Sequence, residues 1–243
     1  MHWSTSLAAR SATVGGRLLS EAFRVTAAVR GSRPLHPKGG LLTGVLSTDG
    51  QSQLTGVPWV DDADEIVCEA RLSRAVGLSA ALPDIQGLAL RWYCQGELCD
   101  LLFAGTGLSR AGRFVLTPRR ALLAGPMTTL FPLRSANGPL LFAATPTPDA
   151  PPGADPEHLA EQATISPIVL TLAYATPTGE WTPCGRLRLT GPHNAASTDP
   201  VIRFAPVDAT PVGLQQYEFI TRLRGQSYAG AHAGFSGGAA VAP

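Results

Sequence analysis

Short apolar runs separated by turn-rich segments dominate the chain between residues 41 and 206, a pattern that is typical of β-strands. The third and fourth runs are joined by QGEL at 95–98, a spacing that favours a hairpin. Eight strands suffice to close a sheet into a barrel that is filled by its side chains or holds one ligand. The eight runs lie at 41–47, 65–73, 86–94, 99–105, 139–145, 165–176, 184–190 and 200–206.

The two ends of the chain carry apolar residues at helical intervals. These residues are Leu18, Leu19, Phe23 and Val25 near the N-terminus, and Leu214, Tyr217, Ile220 and Leu223 near the C-terminus. Segment 117–138 is expected to be a helical or irregular crossover, and 146–158 a Pro-rich surface loop. The predicted fold class is therefore α+β, a closed antiparallel β-barrel of about eight strands with an N-terminal helix and a C-terminal helix.

These elements predict one domain with short extensions, since 243 residues suit a single large β-rich domain. We expect an N-terminal helical segment over 1–30, the barrel domain with its C-terminal helix over 31–235, and a flexible Gly-rich tail over 236–243.

Composition and charge argue against nucleic acid and against a membrane-spanning segment. Hydrophobic residues make up 44% of the chain and charged residues 15%, as expected of a sequence that folds. The 19 basic and 18 acidic residues leave a net charge of +1, without the basic excess that nucleic-acid binding needs. No stretch of 18 apolar residues occurs, so no transmembrane segment is predicted. Peripheral membrane contact through the Arg-containing N-terminal helix stays open.

The four cysteines indicate the compartment. Cys68, Cys94, Cys99 and Cys184 lack the short paired spacing of a zinc site, and no secretory signal precedes them. We therefore expect reduced, mostly buried thiols and a cytoplasmic protein. Cys94 and Cys99 flank the predicted hairpin turn, which is weak evidence for a disulfide.

Common catalytic motifs are missing from the sequence. There is no nucleophile elbow, no phosphate-binding glycine motif, and no pair of histidines at metal-ligand spacing among the five present. The adjacent acids Asp61 and Asp62 are interpreted as a solvated turn.

Three stretches carry candidate chemistry when they are taken together. In the first, Arg33 precedes His36 by three residues, and Lys38 and Gly39 lead into the first predicted strand. In the third, Arg224, Tyr228 and His232 follow one another at intervals of four residues. The second stretch contains Arg71, Leu72, Ser73, Gly77, Asp84, Gly87, Asp100 and Leu101.

In this order, the three stretches resemble the motifs of haem catalases over about residues 30 to 235. The resemblance implies haem b held inside the barrel, with Tyr228 as the ligand of the iron. It implies that His36 is the acid-base group and that Ser73 bonds the outer nitrogen of the imidazole. Arg224 would stand beside the phenolate, and Arg33 and Arg71 would pair with the haem propionates.

Elementary chemistry supports these roles. A free tyrosine has a pKa of about 10, so a phenolate ligand needs a nearby cation at neutral pH. Arg224 lies one helical turn before Tyr228 and supplies that charge. A neutral imidazole at His36 can move a proton between the two oxygens of a hydroperoxide. Tyr217 stays an alternative ligand, because Gly225 weakens a helix at Arg224.

The sequence departs from the family at one position of the peroxide site. Catalases carry an asparagine after the Asp-Leu pair, where this chain has Ala104 and Gly105. Loss of that donor removes a contact that small H2O2 needs and opens volume, so we expect an organic hydroperoxide as substrate. This preference resembles the catalase-related branch that acts on fatty-acid hydroperoxides.

A second interpretation is a haem-free, catalase-like barrel that binds a small apolar ligand or a protein partner. The sequence leaves the oligomeric state open, with a monomer or dimer as plausible as a tetramer.

Overall fold

The computed structural model describes residues 38–77, 79–193 and 202–218, of which Lys38–Gln216 belong to one compact unit. The predicted N-terminal helix and Gly-rich tail lie outside the described residues, as do the domain boundaries at 30 and 235.

Eight antiparallel strands close into a barrel in the ring order β1-β2-β3-β4-β5-β7-β8-β9, with β9 paired to β1. β5 pairs with both β4 and β7 and so completes the ring, whereas β6 extends the sheet beyond β7. The strands are β1 Gly39–Thr48, β2 Glu65–Arg74, β3 Gln86–Cys94, β4 Glu97–Gly105, β5 Met127–Thr128, β6 Leu133–Ser135, β7 Gly138–Pro146, β8 Ile168–Ala175 and β9 Thr182–Pro192.

Seven of the eight predicted runs form strands of the barrel, and the predicted hairpin between β3 and β4 is confirmed. Its two turn residues, Gln95 and Gly96, have φ values of 52° and 83°, which suits a tight turn between twisted strands. The prediction for 200–206 is wrong over its described part, because residues 202–206 contain no strand. The eighth position in the ring belongs to β5, which lies in the segment expected to be a crossover.

Two short α-helices interrupt the strands: α1 at Pro58–Asp61 and α2 at Pro156–Gln162. α2 begins inside the segment that was predicted as a Pro-rich loop. The Asp155 carboxylate caps it by accepting from the backbone N–H groups of Glu157 and His158. α2 packs so closely on β1 that a Cβ at Gly40 would overlap the carbonyl oxygen of Pro156.

The described part of the predicted C-terminal helix is helical only at Glu218. Residues 211–217 are not helical, and Gln215 instead exchanges two backbone hydrogen bonds of 2.8 Å with Arg134. The rest of that predicted helix lies beyond residue 218 and outside the described residues.

Apolar side chains fill the inside of the barrel. Trp59 of α1 packs edge-on against Trp92 of β3, with 5.7 Å between ring centroids, and also contacts Phe142 of β7. These rings belong to one buried cluster with the inward side chains of the ring strands, which include Leu42, Leu46, Ala70, Leu72, Leu88, Leu90, Leu101, Leu170 and Leu187. The interior is therefore a packed core. The expectation of a porphyrin inside the barrel is wrong.

Candidate functional site

Arg71 and Ser73 lie on the outer face of β2. Their neighbours Ala70 and Leu72 are fully buried in the barrel core, and alternate residues of a strand point to opposite faces. Arg71 and Ser73 are nevertheless only 7% and 4% exposed, while Val67 on the same face is 71% exposed. The outer face is thus buried at the end of the barrel where β1 begins and β2 ends.

Small residues surround Ser73 on this outer face. The strand register aligns Gly39, Ser73, Gly87 and Ala104 in one row across β1 to β4. At a strand spacing of about 4.8 Å, the row is about 14 Å long. The Ser73 hydroxyl donates to the Gly87 carbonyl at 3.5 Å. The row forms a shelf with few protruding side chains, and glycine in a strand allows close approach of a ligand or another backbone.

The guanidinium of Arg71 lies against the backbone of β1. Arg71 is paired with Leu41, but its side chain leans toward Gly39, where a Cβ would overlap the guanidinium. The absence of a side chain at Gly39 therefore allows Arg71 to lie along the shelf. The structure brings Arg71, Ser73 and Gly39 together on this outer face.

Asp84 fixes the loop that follows β2. Its carboxylate accepts from the backbone N–H groups of Val76, Gly77 and Ile85 at 2.7 to 3.0 Å. Arg74 contacts the same carboxylate, with Nε 3.7 Å from Oδ2, and donates to the carbonyl groups of Ser79 and Leu82. Asp84 therefore has a structural role, because it holds the loop that follows Ser73 and the end of β2 in place.

Asp100, the acid of the second motif, also has a structural role. Its buried carboxylate forms a bidentate pair with Arg91 at 2.7 Å and accepts from the backbone N–H of Ala205. The hydrogen bond to Asp100 raises the pKa of Arg91. Arg91 also donates to the carbonyl of Arg203 and lies over the ring of Phe204. These contacts fasten segment 203–209 to the outer face of β3 and β4.

Asp61 is not the solvated turn residue that the sequence predicts. Its carboxylate accepts from the backbone N–H groups of Thr55, Gly56 and Val57 at 2.7 to 3.1 Å. It therefore organises the loop before α1, whereas Asp62 is exposed.

The thiols inside the barrel are poor nucleophiles. Burial raises the pKa of Cys68 and of Cys184 to about 12, so both stay protonated at neutral pH. Within the described residues, no group of three or more His, Cys, Asp or Glu side chains could hold a metal ion. No helix in this described part is long and apolar enough to cross a membrane.

One polar cluster on the outer face was not anticipated from the sequence. Nε2 of His193 lies 3.3 Å from Oε1 of Glu69, and its Nδ1 lies 3.3 Å from the hydroxyl of Thr43. The cluster links the end of β9 to β1 and β2, so its role is structural.

Several predicted site residues fall outside the described part of the chain. These are Arg33, His36, Arg224 and Tyr228. The alternative ligand Tyr217 is described and is partly buried in a non-helical segment. Of the predicted site residues, the structure therefore describes Arg71 and Ser73, together with the shelf around them.

Comparison with known proteins relates this barrel to catalases by fold. No family model and no curated protein matches the sequence. Catalase A from Saccharomyces cerevisiae matches with a TM-score of 0.61 and 12% identity, over 84% of this chain and 60% of that chain. A fungal catalase matches with a TM-score of 0.60 and 12% identity, over 84% and 59%. The chain thus has a catalase-like fold and spans about 60% of the length of these catalases.

Proposed function

We propose that this protein is a haem-dependent enzyme of the catalase-related type that metabolises hydroperoxides. The observation that carries the proposal is the arrangement of Arg71 and Ser73 on a buried outer-face shelf beside Gly39. His36 precedes Gly39 by only three residues, a length of chain that spans at most about 11 Å. The imidazole proposed as the acid-base group is therefore within reach of the shelf along the chain.

The described residues suit a flat, anionic macrocycle. The shelf of Gly39, Ser73, Gly87 and Ala104 offers close approach, and Arg71 offers the bidentate geometry that arginine presents to carboxylates. On this basis the outer face would hold the haem, and Arg33 and Arg71 would pair with its propionates. Tyr228 is the proposed iron ligand, and the positive charge of Arg224 would favour its phenolate form.

Bound haem would supply a ferric redox centre, and the protein would handle the protons. His36 would take the proton from one oxygen of the hydroperoxide and return it to the other, which would assist cleavage of the O–O bond. In this proposal the Ser73 hydroxyl would bond the outer nitrogen of His36 and so set the tautomer. Burial of Ser73 and Arg71 keeps water from competing for these contacts.

The substrate is proposed to be an organic hydroperoxide. Ala104 stands two strands from Ser73 in the same row, so the position that could carry a polar donor to bound peroxide carries a methyl group instead. H2O2 offers few atoms for positioning, and without this donor it loses a large part of its transition-state contacts. A larger substrate gains apolar contact in the space that Ala104 leaves open.

An absorption spectrum of protein expressed with haem supplied tests the cofactor. We expect a Soret band with the charge-transfer bands of tyrosinate-ligated ferric haem, lost in Tyr228→Phe and retained in the matched control Tyr217→Phe. The reverse result would identify Tyr217 as the ligand. Colourless protein that stays monodisperse and folded would overturn the haem proposal and favour the haem-free binding module.

The substrate preference is tested by Ala104→Asn. We expect kcat/KM for H2O2 to rise at least about tenfold relative to an organic hydroperoxide such as cumene hydroperoxide, since one well-placed donor is worth about 100-fold in other enzymes. Ala173→Asn serves as the control, because Ala173 lies on the outer face of β8, across the ring from this site. An unchanged ratio in the first variant would contradict the assignment of Ala104.

A further inference from the structure

Cys94 and Cys99 stand diagonally across the β3–β4 hairpin, next to its turn. The register pairs Cys94 with Glu97 and Trp92 with Cys99, so both cysteines share the inward face of the two strands. Diagonal neighbours have Cα atoms about 7–8 Å apart in a flat sheet, at the edge of what a disulfide can join. The twist of this hairpin sets how far the two sulfur atoms are apart.

One contact turns the sulfur of Cys99 toward the residue that is paired with Cys94. The Cys99 thiol donates to the carbonyl oxygen of Glu97 at 3.7 Å, and Glu97 is the residue paired with Cys94. Burial, foremost, and the proximity of Cys94 raise the pKa of Cys99.

The two thiols differ in their access to solvent. Cys99 is fully buried, whereas Cys94 is partly exposed at the end of β3. Burial and then the acidic side chains of Asp62, Asp64 and Glu97 raise the pKa of Cys94. These negative charges also repel anionic oxidants such as glutathione disulfide, so a small neutral oxidant is favoured at this position.

We propose that Cys94 and Cys99 form a reversible disulfide when a neutral hydroperoxide oxidises the hairpin. The Cys94 thiolate attacks one oxygen of the hydroperoxide, the O–O bond breaks, and a sulfenic acid and an alcohol or water result. The Cys99 sulfur then attacks the sulfenic sulfur and displaces water. Two thiols are oxidised and one hydroperoxide is reduced. The site needs no haem, so it goes beyond the proposed function and stands independently of it.

The disulfide would act as a reversible redox switch and would add little to the stability of the fold. It closes a very short loop around Gln95 and Gly96, so it restricts the unfolded chain little. Strained or accessible disulfides have higher reduction potentials and are the labile ones.

Mass spectrometry of haem-free protein tests the proposal. Trypsin releases residues 92–110 as one peptide that holds both cysteines, because Arg91 and Arg110 precede its two cleavage points. After treatment with H2O2 and alkylation, we expect this peptide to lose two hydrogen atoms and resist alkylation, and dithiothreitol to restore both labels. Oxidation should be about tenfold faster per pH unit between pH 6 and 8, because the thiolate is the nucleophile. Glutathione disulfide should oxidise the peptide more slowly.

The controls separate this pair from the other thiols. Cys184→Ala should leave the oxidation of the peptide unchanged, whereas Cys94→Ser should abolish the loss of two hydrogens. A peptide that only gains oxygen, a cross-link to Cys68 or Cys184, or a disulfide between two molecules would overturn the proposal. These outcomes are read without haem, so they do not depend on the spectrum of the holoprotein.

Discussion

Replacement of Asp100 by alanine removes a carboxylate whose side chain is fully buried and which accepts three hydrogen bonds from Arg91 and Ala205. Removal of one partner of a buried ion pair costs about 3–5 kcal/mol, because the other charge stays behind unpaired. The Arg91 side chain is 18% exposed and keeps part of its hydration, so we take the lower end, about 3 kcal/mol. For a domain of this size, the melting temperature should fall by about 6–12 °C.

The chain supplies a matched control for this prediction. Arg110 and Glu180 form an ion pair of similar length, 2.9 Å, but their side chains are 71% and 86% exposed. Water screens such a pair, so Glu180→Ala should leave the melting temperature nearly unchanged. The double variant Arg91→Met with Asp100→Leu should recover much of the loss, since an apolar pair leaves no buried charge.

Thermal and urea unfolding, followed by the fluorescence of the buried Trp59 and Trp92, measure these differences. Limited trypsin digestion gives a second readout. Asp100→Ala should be cut faster after Arg203, because segment 203–209 loses its fastening to β3 and β4. Equal losses of stability for Asp100→Ala and Glu180→Ala, with unchanged cutting at Arg203, would refute the assigned role of the Arg91–Asp100 pair.

Two further predictions concern the packing of the barrel. Gly40→Ala should destabilise the protein by about 1–3 kcal/mol in urea unfolding, because the new Cβ collides with backbone atoms of Pro156 in α2. Gly107→Ala is the control and should leave the stability nearly unchanged, because its Cβ would meet its nearest neighbour at an ordinary 3.4 Å. Equal losses of stability in the two variants would contradict this account. Stability should also fall as pH rises from about 9 toward 12, because Cys68 and Cys184 ionise near pH 9 in the unfolded chain but have pKa values of about 12 when folded. The loss of stability should approach about 1.4 kcal/mol per pH unit for each thiol. In urea titrations at a series of pH values, Cys184→Ala should therefore show a smaller loss of stability per pH unit. An identical pH slope in that variant would contradict the role assigned to Cys184.

The strands of the barrel could be predicted where they are long enough to show a pattern. β1 to β4 and β7 to β9 each hold at least eight residues, and all seven were predicted from their apolar runs. β5 holds only Met127 and Thr128, too few to show any periodicity, and Pro126 and the irregular residues around it suggest a loop. Its place in the ring is set by its partners in β4 and β7, which local sequence does not reveal.

The segment 200–206 shows the opposite error. Its apolar residues suggest a strand, but the carbonyl of Arg203 and the amide of Ala205 bond to the side chains of Arg91 and Asp100 instead of to a neighbouring strand. The Arg91–Asp100 pair does not follow from a connection placed at 95–98. The structure has a two-residue turn at 95–96, and counting back from that turn places Arg91 opposite Asp100.

The sequence named residues for the candidate site, and the structure shows where two of them lie. The motifs led to Arg71 and Ser73, and the structure brings both beside Gly39. Their position outside the barrel follows from the alternation of Ala70 and Leu72 with Arg71 and Ser73, which puts the polar pair on the face away from the core. The expectation of a haem inside the barrel came from the family resemblance and did not use this alternation.

The pairing of β1 with β9 has a consequence for how this chain acquires its shape. Thr43 and Thr190 lie side by side although 147 positions of sequence separate them, so the first and last strands of the barrel must pair across nearly the whole length of the barrel sequence. Loops of that length cost entropy before any contact rewards them, and proteins rich in such distant contacts fold slowly. We therefore expect the junction between β1 and β9 to form late in folding, whereas β5 closes its side of the ring between near neighbours in the sequence.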